Sequence, residues 1–389
     1  MSKILFVSGW YPTEDKPSFG IFVRRHAEAA ALNNDVAVLY IRTTYSGDEK
    51  LFNVRSGIEN KLFEVIITIN KSKLPFAPLF FLFKYLFFLR ALIKGYNIIV
   101  SHYGKPDLVH GNILFEGGMQ ALMLKSIYGI PYVCAEQWTG YMPEDGSYKG
   151  LMRKWCSKQI ALKAKYILPI SNHLKEAMTA QGLNARYVII PNVVNTQIFH
   201  PSPTGKAKGK TKMLHVSSLD ERQKNFSGIL RAFKKISMQD KEAYLTVSGG
   251  KDNLVAAKKL VIETGIEDDK VIFMGHQNES ELASTYSDAS FLLMFSNYET
   301  LCCVALEAIA CGIPVVATRS GGIEEVVNSS NGILVDTHNE EQLVSAIEAI
   351  SVNLEQFSPL NLFHYVNDNY SYEKINHQLN EVYTQTLTK

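Results

Sequence analysis

Short runs of apolar and β-branched residues alternate along this chain with longer stretches whose apolar positions recur at helical spacing. The first half carries such runs at 4–8, 36–41, 63–69, 98–101, 131–134, 166–170 and 187–190, and the second at 213–217, 243–248, 271–274, 290–295, 314–317 and 332–335. Strands separated by helices mark parallel sheets with crossover connections, so each half is expected to build its own doubly wound α/β sheet. Between the halves, residues 201–212 lack any large apolar side chain and collect Pro, Gly and Lys, which predicts a linker. Residues 372–387 read as an amphipathic helix with Ile375, Leu379, Val382 and Tyr383 on one face and no strand after it.

Segment 74–93 is apolar over about the ~20 residues that a spanning helix takes. Pro75 and Pro78 interrupt its start, and Lys84 and Arg90 would lie in hydrocarbon. The expectation is a helix packed on the first sheet; the alternative is an interfacial helix making peripheral membrane contact, since six phenylalanines (Phe76, Phe80, Phe81, Phe83, Phe87 and Phe88) exceed what one sheet face needs.

Composition narrows the picture. The chain has 389 residues, long enough for two cores, and 40 Lys and Arg against 38 Asp and Glu leave a net charge of +2. No strong basic field points to nucleic acid. Five cysteines (Cys134, Cys156, Cys302, Cys303 and Cys311) include no C-x-x-C pair, which fits a reducing cytoplasm and argues against a disulfide framework or a zinc site. No D-x-D after a strand and no His/Cys ligand cluster suggests a metal.

The chemistry concentrates in residues 296–314. An apolar strand is followed by a short loop bearing Glu299, then a helix predicted over 300–311 and closed by Gly312 and Pro314. Free amides and the positive dipole end make such a helix mouth an anion site. Glu307 lies within a helix apolar nearly all round, so its carboxylate must find donors: either a structural hydrogen bond or ion pair in the core, or a polar ligand such as a ribose diol.

The spacing of Glu299 and Glu307, with Ala-Ile-Ala-Cys-Gly-Ile-Pro from Ala308 and Ser-Gly-Gly-Ile-Glu-Glu-Val from Ser320, resembles the E-x7-E signature of retaining glycosyltransferases of family four. The run from Pro191 to Pro201, the glycine turn ending at Gly250, and the run from Val271 to Gly275 and His276 resemble further segments of that family in order. The resemblance implies the GT-B fold: two facing doubly wound Rossmann-like domains, 1–198 on the acceptor side and 199–369 on the nucleotide-sugar side, with the C-terminal helix 370–389 crossing back to the first. It further implies that Glu307 binds the donor's ribose, Glu299 the transferred sugar, and the amides of Leu301, Cys302, Cys303 and Val304 the diphosphate. Lys224 falls on the family's phosphate-binding lysine. The accompanying arginine falls on Ser218, and Arg222 is the nearest replacement. Gly20, Gly250, Gly275 and His276 are placed on the donor side, and His110 and Gln137 beside the acceptor and sugar.

This chain departs from the family at two points. Glu299-Thr-Leu-Cys302 stands where E-G-F-G is usual, and Gln137 stands where a histidine is common, so no acid–base role rests on position 137. The expected function is a metal- and cofactor-independent retaining hexosyltransferase. It uses a UDP- or GDP-sugar and a glycan or lipid-linked oligosaccharide acceptor, as in bacterial surface polysaccharide synthesis. The alternative is a non-catalytic nucleotide-sugar-binding subunit of a glycosylation complex.

Overall fold

The computed structural model describes residues 1–45, 50–73, 80–202, 211–250 and 252–388. The expected linker and the Phe-rich segment therefore lie outside the described residues at 203–210 and 74–79.

Two sheets form, as the alternation requires. The first contains β1 (Lys3–Ser8), β2 (Asp35–Thr44), β3 (Phe52–Glu59), β4 (Leu62–Asn70), β5 (Leu108–Asn112), β6 (Tyr132–Glu136) and β7 (Ile167–Pro169), in the order β3-β4-β2-β1-β5-β6-β7. All neighbours are parallel except the β3–β4 pair. The second sheet is parallel throughout: β8 (Lys212–Ser217), β9 (Tyr244–Gly249), β10 (Val271–Gly275), β11 (Phe291–Met294), β12 (Val315–Thr318) and β13 (Gly332–Val335), ordered β10-β9-β8-β11-β12-β13. Helices cover both faces, so β5, β6, β11 and β12 are buried along their whole length; β11 and β12 read as apolar runs, whereas β5, which carries His110, Gly111 and Asn112, is not among the expected strands.

Three local expectations are corrected. Residues 98–101 are not a strand but the end of a helix, Phe80–Tyr103, which buries Ala91, Leu92, Tyr96 and Ile99 on the first sheet; helical packing overrides the β-branched Ile98-Ile-Val run. β3 escapes sequence reading because it is an exposed edge strand with little apolar alternation, hairpinned to β4. Residues 187–190 run beside β7 through the amides of Val188 and Ile190 but form no strand, only a bridge from Ile167 to Tyr187. Among the described residues no helix is long and apolar enough to cross a membrane.

The terminal helix, Tyr372–Leu387, returns to the first sheet as expected. Ile375, Leu379, Val382 and Tyr383 bury against the helix Ile21–Ala30 and the outer face of β1, β2 and β5. Tyr372 donates to Glu28 at 2.7 Å and Asn34 to Asn380 at 2.7 Å.

Candidate active site between the two sheets

In each sheet the strand order reverses once, between β1 and β5 and between β8 and β11. Loops leaving the carboxyl ends of strands at such a reversal open a crevice. Here those loops are 9–20 and 113–117 in the first sheet and 218–225 and 295–302 in the second. Ser18 on the loop after β1 lies 2.9 Å, Oγ to Nε2, from His276 just beyond β10. The amides of Asn172 and His173 donate to Glu325 at 3.0 and 2.8 Å, so a carboxylate of the second sheet's side caps a helix of the first.

Glu299 and Lys224 come together at this junction. The Lys224 ammonium is 2.5 Å from Glu299 Oε1, which also accepts the Ser296 hydroxyl at 2.8 Å. Oε2 of Glu299 takes no hydrogen bond among the described residues. Burial works against the Lys224 charge, but the Glu299 carboxylate outweighs that and holds the amine above its ordinary pKa. The loop is pinned from behind: Glu299 donates its amide to Ser320 at 2.7 Å and accepts the Gly322 amide at 2.9 Å. A Cβ on Gly322 would fall 1.8 Å from the Thr300 carbonyl oxygen, so only glycine lets the two backbones lie this close.

The helix mouth starts later than expected, with the helix spanning Cys303–Ala310. Cys302 precedes it in the left-handed region, φ 73, and supplies no side-chain cap. This explains the second glycine of the family pattern: the turn needs a left-handed residue, and a side chain there costs about 1–2 kcal/mol. Cys302 carries that strain here and remains buried. Cys303 accepts the Asn192 side-chain amide on its sulfur at 3.0 Å, another contact from the first sheet's side.

Glu307 is committed in this structure. Arg25, from the helix Ile21–Ala30, crosses the junction and places its guanidinium 2.8 Å from Glu307 Oε1 and 2.6 Å from Glu279. The same group lies over the Phe199 ring at 5.7 Å. Burial raises the Glu307 pKa, while Arg25 is the main opposing influence; burial equally opposes the Arg25 charge, and Glu307 and Glu279 restore it. Of the two readings of Glu307, the ion pair is the one formed here. Among the described residues its other oxygen makes only a 3.4 Å contact with the Tyr286 hydroxyl, leaving acceptor capacity. Arg25 was missed by sequence reading because a basic residue in a first helix signals a solvated face; only the contact with the other half shows otherwise.

The remaining candidates divide. Arg222 is exposed and donates across the junction to the carbonyls of Glu144, at 3.0 Å, and Asp145, so its guanidinium ties two loops together here. Gly20 begins its helix at φ 72 with its Cα against the Trp10 backbone, so the close approach it permits is to its own loop. Gly250, just past β9, donates to Ser217 at 3.0 Å, and Gly275 closes β10. Gln137 is buried just past β6 with its side-chain nitrogen unpartnered among the described residues. Beside it Glu136 accepts the amides of Leu114, Gln137 and Trp138 and the Tyr141 hydroxyl, which fixes the loops around it.

His110 does not reach the cleft. Its ring is fully buried in mid-strand, stacked 4.3 Å from Phe6 and 2.7 Å, Nδ1 to oxygen, from the Tyr383 hydroxyl. Burial, with nearby His26, pushes its pKa well below the ordinary range. Strand alternation turns position 110 toward the terminal helix, so its expected place beside the acceptor is corrected to a structural one.

Two facing α/β sheets, an anion-ready helix mouth and a carboxylate–ammonium pair at their junction define a GT-B glycosyltransferase. Family models agree along the chain: Glycosyltransferase Family 4 matches residues 21–198 and Glycosyl transferases group 1 matches residues 197–356. The chain belongs to the glycosyltransferases that pair a Family 4 first domain with a group 1 second domain. A probable sucrose-phosphate synthase of Thermosipho melanesiensis is 26% identical over 293 residues, covering 70% of this chain and 68% of the relative. The sucrose-phosphate synthase structure from Thermosynechococcus elongatus superposes with a TM-score of 0.77 at 23% identity over 99% of both chains. HepE of Anabaena, in complex with UDP and glucose, gives 0.73 at 16% identity over 99% of this chain and all of its own.

Proposed function

We propose that the protein is a retaining hexosyltransferase that takes a sugar from a UDP- or GDP-sugar and passes it to a glycan or lipid-linked glycan in bacterial surface polysaccharide synthesis. The observation that carries this reading is the Lys224–Glu299 pair at the mouth of the helix Cys303–Ala310. A diphosphate seated on the amides of 301–304 would meet the positive end of that helix and the Lys224 ammonium together, which stabilises charge as it develops on the leaving group. Glu299 keeps Oε2 available for a sugar hydroxyl. Glu307 offers its second oxygen to the ribose. HepE, which carries UDP and glucose on the same fold, supports a uridine donor.

In this scheme no carboxylate acts as nucleophile. The acceptor attacks from the face the leaving group departs, and a departing phosphate oxygen takes its proton. The protein's share is positioning and electrostatics, with Lys224 and the helix amides in place of a metal. A thermal-shift panel of UDP, GDP and ADP and their sugars tests donor recognition, since a ligand that binds only the native state raises its melting temperature. A shift with UDP or GDP and its sugar is expected; no shift with any nucleotide overturns the reading.

A further inference from the structure

The carboxylate of Glu116 has no part in the donor scheme. It lies in the π-helical turn Ile113–Gly117, which leaves the carboxyl end of β5 where the first sheet's strand order reverses. Single π-turns of this kind recur at functional sites. The side chain is laid against the loop leaving β1: a Cβ on Gly9 would fall 1.8 Å from Glu116 Oε2, and Gly9 has no positive φ that would otherwise call for glycine. Position 9 is bare because Glu116 occupies the space beside it. The residue is exposed, yet the surrounding walls partly strip its carboxyl of water and raise its pKa, with Arg153 and then Trp10 opposing.

Two buried side-chain atoms at neighbouring strand exits have no partner among the described residues: Asn112 Oδ1 at the end of β5 and Gln137 Nε2 just past β6. The two strands are adjacent, with Asn112 paired to Ala135. Buried polar atoms are seldom left unpaired, so a ligand or water belongs there. The three groups ask for different partners: Glu116 and Asn112 accept, and Gln137 donates. A sugar hydroxyl serves all three, because it donates and accepts; a phosphate brings oxygens alone and meets the Glu116 charge. The cation that opposes that charge, Arg153, is drawn over the rings of Phe115 and Trp138 at 5.1 and 5.2 Å. Trp10, packed on Phe19 and Phe22 at 5.9 and 6.1 Å, offers an apolar wall of the kind that lines small-molecule sites.

We propose that the exits of β1, β5 and β6 hold an uncharged sugar ring of the acceptor, with Glu116 accepting its hydroxyls and setting a preference for a neutral ring over a phosphorylated one. Glu116 is then a specificity-determining residue on the acceptor side, and the reacting centre remains with Glu299 and Lys224. The proposal rests on the transferase reading only in naming that ring the acceptor's.

Ligand-observed NMR on the free protein, with methyl hexosides and the matching hexose 6-phosphates as probes, tests it without any turnover. A methyl hexoside is expected to bind at least about tenfold more tightly than its 6-phosphate, since a like charge facing Glu116 is costly. Glu116→Ala, at an exposed position, melts like the parent, weakens the hexoside by about tenfold or more and narrows the gap to the phosphate, as loss of a charged acceptor does. A merely structural Glu116 would shift both probes alike. No hexoside binding, or a preference unchanged in Glu116→Ala, overturns the proposal even where nucleotides bind. Hexoside binding that needs Glu116, in a protein that ignores every nucleotide, keeps the sugar site and overturns the donor reading alone.

Discussion

Lys224→Met is expected to slow release of nucleoside diphosphate from the sugar donor by about 10²–10³-fold, the usual consequence of losing one preorganised group that stabilises a developing charge. It should also destabilise the fold by about 3–5 kcal/mol, because the buried Glu299, 2.5 Å away, is left with only the Ser296 hydroxyl among the described residues. The two effects separate in the double variant Lys224→Met, Glu299→Gln. Removing the orphaned carboxylate returns much of the stability, measured by denaturant unfolding, but none of the turnover. Recovery of turnover along with stability would make Lys224 a structural residue only.

Arg25→Met has the second large effect. It strips the buried Glu307 of its main compensating charge and removes the only described guanidinium that links Glu307 and Glu279 across the junction. A loss of about 3–5 kcal/mol is expected, with most of it regained in Arg25→Met, Glu307→Gln. The two variants part in binding. If Glu307 holds the ribose through its second oxygen, Glu307→Gln alone weakens nucleotide binding by about tenfold, as loss of a hydrogen bond to a charged group does. Arg25→Met leaves that oxygen in place and keeps affinity within about that factor. Equal loss in both variants would assign Glu307 to the ion pair alone.

Much of this architecture was legible in the residues. Parallel strands buried on both faces leave unbroken apolar runs, and the Pro-, Gly- and Lys-rich break marked where one sheet gives way to the next. The helix after Glu299 was legible too, since a strand, a loop and an apolar run closed by Gly312 and Pro314 leave little choice of element, but its mouth lies at Cys303 and not at Thr300. What could not be read depends on the other half of the chain. Arg25 looks like a surface residue until Glu307 and Glu279 are brought to it, and Arg222 looks like a phosphate ligand until the 144–145 loop takes its guanidinium. His110 was misjudged for another reason. Nothing in one strand says which face its alternate residues will show, and only the terminal helix, returning with Tyr383, settles it. At position 302 the sequence showed a side chain replacing glycine but not its cost, which lies in the left-handed backbone.

The central claim is that Glu299 engages the sugar being transferred at a site whose nucleotide is held elsewhere, by the helix mouth and Glu307. The direct measurement is nucleoside-diphosphate release from the preferred sugar nucleotide by the parent and by Glu299→Ala, with nucleotide affinity determined on the same samples. The account predicts release by the parent, loss of at least about 10²-fold in the variant, and nucleotide affinity retained. Unchanged release by Glu299→Ala would contradict it.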